Sequence, residues 1–180
     1  MSMLTIALRR LSRRVWANED GSSTIEFVII MPVIMTIFLM SIEVGVMMTR
    51  GLMLDRGIDI TMRDLRLGNL TPMTHENLKN EICDNAMIIP ECTESLSVEL
   101  MPITTAGWAP TKSKPTCHDR ADEIKPALEF IPGSGNELMI VSACATFNPF
   151  FPTTGLAATI RLQNSGQYAM IATSAFVNEP

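Results

Sequence analysis

One stretch limits what this chain can become. From Phe27 to Met48 it reads FVIIMPVIMTIFLMSIEVGVMM, and the sixteen positions from Phe27 to Ile42 carry no charge. A helix needs about 20 mostly apolar residues to cross a bilayer core of roughly 30 Å. The run meets that length if Glu43 sits near one end of the span. A buried core helix is the plain alternative, but a domain of this size rarely hides so apolar a segment. A cleaved secretory signal is another. It calls for an apolar core of about 7–15 residues followed by a small-residue cleavage site. This run is longer, and Gly51 is the one convenient small residue after it. The expectation is a single membrane span near residues 27–48, with the lipid bilayer as partner.

The rest of the composition excludes more than it selects. Apolar residues make up 47% and charged residues 18% of the 180, too apolar a balance for a disordered chain. A net charge of −5 argues against nucleic-acid binding, which needs a basic face for phosphates. There is no Gly-rich phosphate loop, CxxC, HExxH or GxSxG. His75 and His118 have no triad partners by sequence logic. No enzyme and no cofactor are expected. The fourteen methionines fill apolar regions as flexible side chains rather than forming a metal cluster.

The flank before the run carries Arg9, Arg10, Arg13 and Arg14, then Glu19, Asp20 and Gly21. The segment Gly21-Ser-Ser-Thr-Ile-Glu26-Phe27 resembles the processing site of type IV prepilins and pseudopilins. In those families a peptidase on the cytoplasmic side cuts after a glycine, a glutamate holds the fifth mature position, and a long apolar helix follows. The resemblance implies a leader over 1–21, a mature start at Ser22 and prepilin peptidase as a partner. It also implies a register role for Glu26, paired with the free amine of a neighbouring subunit. Such a pair is strengthened at the low-dielectric membrane edge. The mature start is Ser rather than the Phe or Met of many pilins. Arg50, Arg56, Arg63 and Arg66 balance the leader arginines, so the positive-inside count does not fix orientation. The leader motif and the cysteines point to a cytoplasmic N-terminus.

Beyond Met48 the pattern turns amphipathic. Leu54, Ile58, Met62 and Leu65 share one helical face, and Asp55, Arg56, Asp59, Arg63, Asp64 and Arg66 are left for the other. One helix is expected over 22–67, roughly 70 Å long, kinked at Pro32, weakened at Gly45, Gly51 and Gly57, and ended by Gly68-Asn69. The stripe on its outer half is expected to pack on the chain's own globular part.

Residues 68–180 read as a small α+β domain. A turn at Thr71-Pro72 leads to a short helix from Thr74, its N-cap, to Cys83. Strands are expected at Leu96–Ile103, half-buried by its alternation, at Glu137–Phe147 and at Tyr168–Val177, with a weaker one at Ala127–Ile131. Stretches 104–116 and 148–155 read as loops. Antiparallel pairing is the simplest sheet, because no long helical crossover separates the last strands. Trp108 and Phe147–Phe151 are candidates for a contact patch, with packing in the core or loops as the plainer reading.

Cys83, Cys92, Cys117 and Cys144 all lie after the span. An even number there implies disulfides in an oxidising compartment. Three connectivities are open. Cys83–Cys92 with Cys117–Cys144 is favoured, since the first would join a helix end to the next strand and the second would tie a long loop to the sheet. Free thiols are the alternative. Zinc held by cysteines and His118 lacks the tight paired spacing of structural sites, so no metal is expected.

The segments Phe130-Ile-Pro132-Gly133, Phe147-Asn-Pro149-Phe-Phe-Pro152 and Phe176-Val-Asn178-Glu179-Pro180 are similar to those of the TadE/TadF family, pseudopilin-like proteins of tight-adherence (Flp) pilus systems. The resemblance covers most of the chain except 85–125. It implies a non-enzymatic minor pseudopilin or assembly component in the inner membrane, with its C-terminal domain in the periplasm and its helix packed on other pilin-like or Tad assembly proteins. The alternative is an uncleaved, signal-anchored periplasmic binding or sensory module; a membrane-tethered enzyme is more remote.

Overall fold

The computed structural model describes residues 22–70, 72–104, 109–110, 115–118, 128–152 and 166–178. The expected leader, with its arginines and Gly21, lies outside them. So do Thr71, Trp108, Ala127, Glu179 and Pro180, most of 105–127 and all of 153–165. The fold is α+β: a long N-terminal helix, two short helices and a small antiparallel sheet.

Helix α1 runs without a break from Ser22 to Arg66, through Pro32 and the three glycines. The chain divides within it into two units, Met1–Ser41 and Ile42–Pro180. In the first unit, side chains from Ser23 to Phe38 are exposed on every face. Only a helix satisfies all backbone polar groups within one segment, which is what a lipid environment demands. The hydroxyls in the apolar stretch follow the same rule. Thr36 donates to the carbonyls of Pro32 and Val33, and Ser41 donates to that of Ile37 at 2.9 Å.

In the second unit α1 becomes a core helix. Leu54, Ile58, Met62 and Leu65 are buried, while Asp55, Arg56, Asp59, Arg63 and Arg66 stay exposed. Burying each large aliphatic side chain contributes about 1.5–3 kcal/mol, so this half of the helix folds with the domain. It ends in a Schellman turn. Gly68, at φ 71°, donates to Leu65 at 3.1 Å, and Asn69 donates to Asp64 at 3.0 Å.

Helix α2 spans His75–Ala86, capped where the Asn77 amide donates to the Thr74 hydroxyl at 3.2 Å. It is one turn longer at its C-terminus than the sequence pattern implies. Its Leu78, Ile82 and Ala86 pack in the same core as the α1 stripe. The two helices approach closely at Gly57, where an added Cβ would lie 2.9 Å from the Ile82 carbonyl oxygen and 3.0 Å from the Ala86 methyl.

A single turn, α3 (Cys92–Ser95), leads into β1 (Leu96–Thr104). The sheet is completed by β2 (Ala109–Pro110), β3 (Leu138–Phe147) and β4 (Tyr168–Val177), in the order β2-β1-β3-β4. The three long strands pair antiparallel, with Val98 opposite Ala143 and Ala143 opposite Ala172. One face, carrying Leu96, Val98, Leu100, Val141, Ala143, Ala145 and Ala172, belongs to the same core as α1 and α2.

Three further details depart from the sequence pattern. The edge pair β2 falls in a stretch expected to be loop; two residues carry too little alternation to be read. The weaker strand expected up to Ile131 is, within the described residues, a single parallel bridge of Phe130 to Leu100. Strand β1 is not half-buried. Its polar positions Ser97 and Glu99 are buried too, Glu99 to 1%. The reason is segment 115–118: Cys117 lies at bonding distance from Cys144 on the polar face of the sheet, and the Thr116 amide donates to Glu99 Oε2 at 3.3 Å.

Gly57→Val should push α1 and α2 apart. The expected loss is about 1–3 kcal/mol of overpacking strain, read as a lower urea midpoint in detergent.

Candidate functional site

The sequence singled out Gly21, Ser22 and Glu26. Gly21 lies outside the described residues. Ser22 is the first residue of α1, and Glu26 follows at i+4, exposed. At that spacing the two positions are neighbours on one helix face. Beyond them, Phe27, Ile30, Ile34, Ile37 and Phe38 are exposed. The segment thus offers an apolar helix surface with one acid at its start, suited to lipid or to other apolar helices.

The sequence pattern treated Glu43 as an interruption near the end of the run and missed its role. Its side chain is 1% exposed. Oε1 accepts from the Phe150 amide and Oε2 from the Phe151 amide, each at 2.9 Å. A carboxylate holds two lone-pair-bearing oxygens, so it can clamp two successive backbone N–H groups at once. Hydrogen bonds to a charged group contribute about 1.5–3 kcal/mol each, enough to offset much of the cost of burying the acid. A signal was present in the sequence. A lone acid in an apolar run must find donors, and the proline-bracketed Pro149-Phe-Phe-Pro152 has two consecutive amides with no strand to join.

Two turns farther along α1, Arg50 continues the junction. Its Nη1 donates to the Tyr168 hydroxyl at 3.1 Å, and its Cζ lies 5.1 Å from the centroid of the Phe147 ring. Phe147 and Tyr168 are themselves cross-strand partners with rings 5.7 Å apart. Burial pushes the Tyr168 phenol above its ordinary 10.0, and Arg50 partly opposes that shift. Gln167 donates to Asn148 at 3.0 Å beside them. A cleft of about 200 Å³ opens here, lined by Arg50, Pro90, Glu91, Thr146, Phe147 and Asn148.

The expected contact patch divides. Phe147 is core, Phe151 is half-buried, and Phe150 is 61% exposed. Cys83 and Cys92 lie at bonding distance, S–S 1.92 Å, joining α2 to the start of α3; Cys117 and Cys144 lie at 1.99 Å. His75 Nε2 is 3.1 Å from the Val98 carbonyl oxygen, and its ring meets Phe130 edge-on at 5.6 Å. Among the described residues, no group of three or more His, Cys, Asp or Glu is placed to hold a metal ion.

Two outcomes follow from the clamp and its neighbour. Glu43→Ala should leave two part-buried amides without their acceptor, cost about 1–3 kcal/mol, and speed hydrogen exchange at Phe150 and Phe151; Glu43→Gln keeps one acceptor and should lose less. The chain has one tyrosine, so phenolate absorbance reports Tyr168 alone. It should ionise at higher pH in the folded protein than in urea. The folded value is the raised one, so its contribution to stability is complete below the unfolded value and is lost as pH rises through the folded value.

No curated protein and no solved structure matches the chain. The helix is long and apolar enough to cross a membrane. From residue 21 to residue 59, across the apolar run, the Glu43 position and the start of the core-facing stripe, the chain matches the family described as TadE-like protein.

Proposed function

We propose that the protein is a non-enzymatic, membrane-anchored minor pseudopilin or assembly component of a Tad (Flp) pilus. The observation that carries this reading is the TadE-like match over 21–59, which coincides with a helix whose first half is apolar and exposed all round. A prepilin peptidase removes residues 1–21 by cutting after Gly21. The new amine at Ser22 of one subunit pairs with Glu26 of the next, and the apolar helices pack side by side. The match begins at the glycine expected to be cut, which supports this, and Ser22 and Glu26 are neighbours on one helix face.

In this reading the span lies in the inner membrane, with the N-terminus cytoplasmic and the domain periplasmic. Two cysteine pairs at bonding distance suit an oxidising compartment. A domain of this size fits a minor subunit or an assembly factor better than the very short major Flp pilin of that family. The cleft at Arg50, about 200 Å³, is smaller than the roughly 300–1,000 Å³ of small-molecule pockets, and so lends little to the alternative of a ligand-sensing module.

N-terminal sequencing of the protein from membranes tests the reading. A start at Ser22 that disappears with the peptidase is expected; an intact Met1 in a strain with active peptidase overturns it. Glu26→Gln should abolish co-purification with pilin-like partners while leaving membrane insertion unchanged.

A further inference from the structure

The uncharged stretch Phe27–Ile42 is about 24 Å long at 1.5 Å per residue, short of the roughly 30 Å hydrocarbon core. A span of about 20 residues that begins at Phe27, as the sequence reading has it, therefore passes Glu43. The Phe150 and Phe151 amides are bonded directly to that carboxylate, so their loop is held at the same depth. Phe150 is 61% exposed, and the flanking prolines, Pro149 and Pro152, offer no N–H to desolvate. On α1 beside the clamp, Ile42 and Val44 are exposed as well.

From this we infer that the Asn148–Pro152 loop is a second membrane contact, with Phe150 inserted among the acyl chains just below the headgroups. The partner is the lipid surface itself, continuous with the lipid around the span. The clamp then does two jobs. It lets an acid sit at the hydrocarbon edge with both oxygens satisfied, and it presents Phe150 to the bilayer beside it. A ring whose backbone amide is already bonded to Glu43 and whose segment is bracketed by prolines loses little conformational freedom on insertion.

This inference rests on the membrane reading of α1, and the test separates the two. In full-length protein carrying Trp16→Phe and Trp108→Phe, a single tryptophan is placed by Phe150→Trp, by Phe38→Trp on the span, or by Val177→Trp. Val177 is exposed and sits at the opposite end of the β3–β4 ladder from Phe147. Each variant is reconstituted in phosphatidylcholine vesicles, with and without lipid brominated near the glycerol end of the acyl chain. Phe150→Trp should give blue-shifted emission that the brominated lipid quenches strongly, while Val177→Trp stays red-shifted and unquenched. Quenching of Phe38→Trp but not Phe150→Trp overturns the loop contact and leaves the span intact. Blue-shifted yet unquenched emission from Phe150→Trp, which marks burial against protein, overturns it too. Failure to quench Phe38→Trp by lipid brominated at the chain end sinks the membrane reading and the loop contact with it.

Discussion

A carboxylate in an apolar helix needs donors, and the way Glu43 finds them organises the junction of this protein. The Phe150 and Phe151 amides that bond it belong to the segment just after β3, more than a hundred residues away in sequence. The same strand end carries Phe147 under Arg50, and Tyr168 at the start of β4 accepts from that arginine. Acid, base and two aromatic rings thus join the helix to one end of the sheet within about two helical turns. The arrangement is polar where the chain leaves the apolar run, and the acid is matched to backbone amides rather than to an opposite charge. That choice is sound for a buried acid, which is expensive when unmatched.

Farther along α1 the construction is ordinary core packing. The stripe from Leu54 to Leu65 meets α2 and one face of the sheet, and Gly57 lets the two helices close to backbone contact. The other face of the sheet holds Glu99 and the Cys117–Cys144 pair. A chain of this size has a small core. Two covalent ties, one at the α2–α3 corner and one across the sheet, would add about 2–4 kcal/mol each by restricting the unfolded chain.

Much of this was legible from residue patterns. The apolar run and the spacing of four, four and three after it marked a helix with two environments. Gly68-Asn69 marked its end, Thr74 a cap, alternation the first long strand, and apolar runs the other two. Those signals are local: they depend on periods of 3.6 and 2.0 and on backbone demands at helix ends. What stayed hidden depends on contacts distant in sequence. The burial of Ser97 and Glu99 was invisible because alternation reports which side of a strand is polar, not whether another segment covers it. Phe147, Phe150 and Phe151 look alike in sequence, yet one is core, one is exposed and one is half-buried, because only the strand end fixes which way each faces.

The sequence by itself determined that this chain carries a helix fit for a membrane, and that this helix continues into an amphipathic half and a small sheet domain. Hydrophobic periodicity and chain length suffice for that. Only the tertiary structure decided that Glu43 is a clamp rather than a blemish in the apolar run. Which amides reach a carboxylate is set by the register of β3 against its neighbours, and no local rule of sequence encodes that meeting.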